Sequence, residues 1–63
     1  MEVEFYLEDD KWHYAKLRWA LDFDSVHNGI NKNRFVQTEA ESGKEYLIST
    51  DRIKLVRVLN VSK

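Results

Sequence analysis

The chain has 63 residues, no cysteine and no proline, and a formal net charge of −1. That length excludes more than one domain, the missing cysteines exclude disulfides and thiolate metal sites, and no apolar run approaches the ~20 residues that span a bilayer. With 43% hydrophobic residues and eight aromatics, the composition is that of a packed core rather than a disordered chain.

The opening MEVEFYLEDD is acidic and lacks the basic flank of a signal peptide, so a soluble cytoplasmic protein is the expectation. Val3, Phe5 and Leu7 alternate with Glu2, Glu4, Tyr6 and Glu8, the period of two that marks a strand with one buried face. Asp9-Asp10-Lys11 reads as a turn. Trp12 to Leu21, WHYAKLRWAL, fits two patterns. As a strand it puts Ala15, Leu17, Trp19 and Leu21 on one face; as a helix it puts Trp12, Ala15 and Trp19 in one stripe. The short turn before it favours pairing back as a hairpin and predicts the strand.

Asp22 to Asn33 is the longest polar connection. Asp24 or Ser25 can cap one helical turn that Asn28-Gly29 stops, or Asn28-Gly29 can turn a hairpin between short strands. In either case Phe23, Val26 and Ile30 anchor the segment to the core. Phe35 to Ala40 and Glu45 to Thr50 are rich in residues suited to a pleated, half-buried surface. They flank Glu41-Ser42-Gly43-Lys44, which predicts a hairpin. Thr50 or Asp51 then caps a single helical turn, Ile53 points inward, and Lys54 to Val61 forms the last strand. In that strand Val56 and Val58 share one face and Leu55, Arg57 and Leu59 the other. If the valines face the core, Leu55, Leu59 and the strand edge can pair with another copy into a homo-oligomer, with Arg57 as a guard against uncontrolled pairing.

These elements predict one all-β domain over residues 1–63: a small, strongly bent five-stranded sheet or barrel, with a short helical turn before the last strand. Curling a twisted sheet on itself buries more apolar surface and removes open edges. The pattern resembles the Sm-like and SH3-like small barrels, and most of all the Rho-binding antiterminator family of bacterial proteins. The likeness rests on VEFYLEDDKWHYAKL, with its acid-rich turn between two strands, and on EYLISTDRIKLVRV, with its helical corner before the last strand. The connection Asp22 to Asn33 has no counterpart in that family. The resemblance implies a regulator that docks on transcription machinery such as a termination factor, with Glu8, Asp9 and Asp10 as the acidic residues nearest in position to those that meet the partner.

Catalytic equipment is not visible. No nucleophile elbow or glycine-rich phosphate loop is present. Asp22, Asp24 and His27 are too few for a zinc site, and their spacing misses the calcium-loop pattern. The expectation is therefore no enzyme, no cofactor and no metal. Two binding readings remain. In the first, Trp12 and Trp19, oddly spaced, take opposite faces of one strand; with Trp19 in the core, Trp12 and Tyr14 project outward beside Glu8, Asp9 and Asp10 and form a protein interface. In the second, Arg34, Arg52, Lys54 and Arg57 bind single-stranded nucleic acid, with Tyr6, Trp12, Tyr14 and Tyr46 as stacking faces. A pI of about 6.1 opposes the second, and without a nucleic acid these bases are expected to pair with Glu39, Glu41 and Glu45 across strands. Residues 1–30 carry seven acids against three bases, and residues 31–63 four acids against seven bases, a charge split able to steer docking.

Overall fold

The alternation at the start of the chain is realised in full. In a computed structural model that describes residues 1–60, β1 (Glu2–Leu7) buries Val3, Phe5 and Leu7 and turns Glu2, Glu4 and Tyr6 outward. Then follow β2 (Trp12–Lys16), α1 (Phe23–Lys32), β3 (Phe35–Glu39), β4 (Glu45–Ser49), a 3-10 turn at Thr50–Arg52, and β5 (Ile53–Asn60). Val61, assigned to the last strand from sequence, lies outside the described residues. The fold is mostly β: all neighbours are antiparallel, and the five strands form one sheet in the order β4-β3-β2-β1-β5. β4 and β5 are its two ends, so the sheet is open rather than closed into a barrel.

One core serves the whole sheet. Val3 and Phe5 of β1, Ala15 of β2, Leu17 just after it, Val26 of α1, Val36 of β3 and Ile48 of β4 belong to one buried cluster. Yet β2 and β3 share a single register pair, Lys16↔Glu39. The two hairpins are thus joined along one narrow line and still contribute to one core. Thr38 is the one buried polar core residue among those described, and its hydroxyl donates to the Tyr46 carbonyl at 3.3 Å.

The two hairpins use the same turn. Leu7 N–H donates to Lys11 O and Asp10 N–H to Leu7 O; Ala40 N–H donates to Lys44 O and Gly43 N–H to Ala40 O. Each turn needs one left-handed residue, supplied by Asp10 (φ 61°) and Gly43 (φ 89°). Glycine takes that conformation without penalty, and aspartate is among the few other residues that tolerate it.

Three expectations are corrected. The connection Asp22 to Asn33 is neither a single helical turn nor a hairpin; it holds a ten-residue α-helix. Asp22, not Asp24 or Ser25, caps it: its Oδ1 accepts from Ser25 N–H at 2.8 Å and from the Ser25 hydroxyl at 2.9 Å. Phe23, Val26 and Ile30 lie at the i, i+3, i+7 spacing of a helical stripe. Val26 is buried and Ile30 packs on the core, while Phe23 stays exposed. Asn28-Gly29 does not stop the helix; Asn33 ends it, donating from backbone and side chain to Gly29 O.

Second, Trp12 to Leu21 is strand only as far as Lys16. Ala15 and Leu17 are buried as the strand pattern requires, but Trp19 sits outside the core and Leu21 is 73% exposed. Trp19 instead links β3 and α1: its indole N–H donates to Gln37 O at 2.7 Å, and its ring lies against Gly29 of α1. Third, neither Thr50 nor Asp51 caps the 3-10 turn. Ser49 occupies the cap position without a side-chain bond, and the Thr50 hydroxyl donates to the carbonyls of Asn33 and Arg34.

Candidate partner-binding face

The strand registers set out the outer face of β5, β1 and β2 as three rows. Leu55, Tyr6 and Trp12 form the first, Arg57, Glu4 and Tyr14 the second, and Asn60, Glu2 and Lys16 the third. The first row is apolar and aromatic, and the next two carry charge. The acidic turn Glu8, Asp9 and Asp10 borders the first row.

Trp12 ends the first row on β2 and keeps 37% of its surface exposed. Its ring meets Tyr6 at a centroid distance of 5.1 Å with the planes tilted by 56°. The Arg57 guanidinium lies over it at 4.1 Å from the ring centroid, a cation–π geometry. Arg57 is itself held by Glu4, with Nε and Nη2 donating to Oε1 at 3.0 and 2.6 Å. Tyr14 donates its hydroxyl to Glu2. That bond to a carboxylate pushes the Tyr14 phenol up to about 12 and holds Glu2 below its ordinary value. The aromatic side chains are thus fixed from below by carboxylates of β1, before any partner arrives.

Each carboxylate of the acidic turn has a partner within the fold. Asp9 accepts from Lys11 N–H at 3.1 Å and meets His13 Nε2 at 2.8 Å; the bond to His13 is the main cause of its lowered pKa. Asp10 accepts from Tyr6 Oη and Lys54 Nζ. Glu8 pairs with Arg52 at 2.9 Å.

Two residue sets expected to serve alternative partners therefore share one surface. Arg52, Lys54 and Arg57 pair with Glu8, Asp10 and Glu4 of the β1 hairpin, not with Glu39, Glu41 or Glu45. Glu39 instead takes Arg18 at 2.5 Å, which holds Glu39 below and Arg18 above their ordinary values. Arg34 stands apart at the start of β3 and makes no ion pair among the described residues. Charges already compensated by carboxylates are poorly placed to neutralise phosphates, and Arg57 occupies the Trp12 face on which a base would stack.

Glu2 and Glu4 escaped the sequence reading as site residues. Their signal was the parity of the first strand, which sends both carboxylates to the face that carries Tyr6. Asp22 and His27 do not converge on a ligand: Asp22 caps α1 and His27 meets Asn31 at 3.0 Å. Among the described residues no helix is long and apolar enough to cross a membrane. Compared with protein-family models, with curated proteins and with solved structures, the chain matches none.

Proposed function

We propose that this chain is a non-enzymatic protein-binding module that docks through the outer face of β5, β1 and β2. Trp12 is the anchor, and Tyr14, Glu8, Asp9 and Asp10 form the rim. The observation that carries the reading is the Trp12 stack: a half-exposed tryptophan held between Tyr6 and an arginine that Glu4 fixes in place. Tryptophan and arginine dominate binding energy at protein interfaces. A side chain already ordered in the free protein loses less entropy on binding.

The bent antiparallel sheet is one of the Sm-like or SH3-like kind in this proposal. The likeness of VEFYLEDDKWHYAKL and EYLISTDRIKLVRV to the antiterminator pattern suggests the partner: transcription machinery such as a termination factor. Capture from a native extract, followed by mass spectrometry, tests both parts. Trp12→Ala is expected to weaken capture by roughly 30-fold, the ~2 kcal/mol of an interface hot spot. The Asp9→Lys, Asp10→Lys double variant is expected to weaken it as well. Equal recovery by all three proteins would remove this face from consideration.

A further inference from the structure

The sheet has two open edges, and they differ. β4 contributes five residues to one edge and β5 eight to the other. Proteins usually guard an exposed edge with a proline, a bulge or a charged side chain reaching across it. β5 has two charged side chains, and both lean the opposite way. Lys54 crosses to Asp10 at 3.3 Å and Arg57 to Glu4 at 2.6 Å, each on the β1 side. The register shifts against β1 fall near the two ends of β5 and leave Leu55 to Val58 regular. Flanking the free edge are exposed Leu55, Val58 and Leu59. Beside it a shallow groove of about 250 Å³ between α1 and β5 is lined by Phe23, Val26, Ile30, Ile53 and Val56 among others.

We propose that β5 pairs antiparallel with β5 of a second copy across a two-fold axis, joining two sheets into one of ten strands. A two-fold contact must complement itself. In the register that sets Leu55 against Leu59 and Val56 against Val58 of the second copy, Arg57 faces its own mate across the axis. Glu4 compensates each Arg57 and Asp10 each Lys54 inside their own chain, so the contact carries no unpaired like charge. A strand pair of this length with its flanking side chains buries on the order of 1,000 Å² in total, the low end of specific interfaces. The dimer is accordingly weak, with a Kd of about 1–100 μM.

Pairing within one sheet puts both outer faces on the same side. The two Trp12 stacks then lie five strand spacings apart, roughly 24 Å along the sheet. This last step rests on the protein-binding reading above, and it makes the docking face bivalent.

Sedimentation equilibrium of the full chain, from low micromolar to millimolar, reads the association without any partner, so its failure is separate from failure of the capture experiment. The expected species is twice the 7.5 kDa of the chain. Leu59→Lys should weaken it at least tenfold, with circular dichroism showing an unchanged fold, while Leu47→Lys on the β4 edge leaves it intact. Glu4→Gln, which frees Arg57, should weaken it at low salt and recover at high salt. A monomer at every concentration, a dimer indifferent to Leu59→Lys, or a larger ring that Leu47→Lys disrupts would each overturn the proposal.

Discussion

Replacing Gly29 with alanine sets two effects of similar size against each other. In the interior of α1 the exchange should stabilise, since alanine is about 1 kcal/mol better than glycine in a helix. The added Cβ, however, would sit 2.6 Å from Cζ3 and 2.7 Å from Cη2 of Trp19, well inside the ~3.5–4.0 Å of a normal carbon contact. The ring cannot simply swing away, because its N–H is bound to Gln37 O at 2.7 Å. Retreat by about 1 Å breaks that bond, at ~1 kcal/mol, and overpacking adds about 1–3 kcal/mol. Set against the helix gain, the balance is a loss of about 1–3 kcal/mol, or roughly 8–23 °C in Tm for a domain of this size. Thermal unfolding by circular dichroism measures the loss, and Trp19 emission in a Trp12→Phe background reports the displaced ring. In a Trp19→Ala background the sign should reverse, with Gly29→Ala now stabilising. A stabilised single variant with unchanged Trp19 emission would refute the argument that the indole and the helix share this space.

The two matched turns make a second test. Gly43→Ala meets nothing within 4 Å, so its cost is conformational alone, about 1–2 kcal/mol; Asp10→Gly, at the equivalent position, should leave stability within about 1 kcal/mol of the parent, and urea midpoints compare them. Asp22→Ala removes the side-chain cap of α1 and should lower Tm by roughly 5 °C. Glu2, Asp9, Asp22 and Glu39 are all held below their ordinary values, so the unfolded chain binds their protons more tightly. Their stabilisation is complete above about pH 4.5 and is lost as pH falls through the lower folded values. Tyr14, pushed up to about 12, works in the opposite direction: its contribution is complete below about pH 10 and is lost as pH rises towards 12. Urea midpoints at pH 7, 3 and 11 check both limbs, and Tyr14→Phe should flatten the alkaline one.

Strands were legible wherever one face is buried and the other wet. Val3, Phe5 and Leu7 betray β1 because burial is periodic there, and Gly43 betrays the second hairpin because its turn demands positive φ. The same reasoning misread residues 22–33. Phe23, Val26 and Ile30 already stood at helical spacing, but Asn28-Gly29 looked like punctuation. Gly29 is there for another reason: Trp19 lies where a Cβ would be, a contact between residues ten apart in the chain that no local pattern encodes. Trp19 misled in turn, since a strand continued past Lys16 would have carried it into the core. In the candidate site Trp12 lies outward, but not for the reason given: Trp19 is neither in the core nor on the same strand, and it is the buried Ala15, three residues on, that sets the parity. The setting of Trp12 was not legible, because Arg57 reaches it from a strand at the other end of the sequence.

The charge split along the chain has a related explanation, and it carries a prediction of its own. An acidic first half and a basic second half suggest a dipole that steers a charged partner. In the fold, β5 lies beside β1, and Arg52, Lys54 and Arg57 land on Glu8, Asp10 and Glu4. Charges separated in sequence are adjacent in space, so the split aligns β5 on β1 and leaves little net field over the face. Each exposed pair contributes little stability, about 0–1 kcal/mol, but together they leave an aromatic and apolar row, Trp12, Tyr6 and Leu55, at the middle of recognition with Tyr14 and the carboxylates of the turn as its rim, rather than a row of free cations. Capture of the protein partner should then change by less than about threefold between 50 and 500 mM salt. Binding of single-stranded nucleic acid through Arg34, Arg52, Lys54 and Arg57 would instead fall by roughly 600-fold over the same range, from four phosphate contacts. Affinity measured against salt therefore separates the two modes, and a steep loss would show that the ion pairs open to serve phosphates and that the aromatic face is not the site.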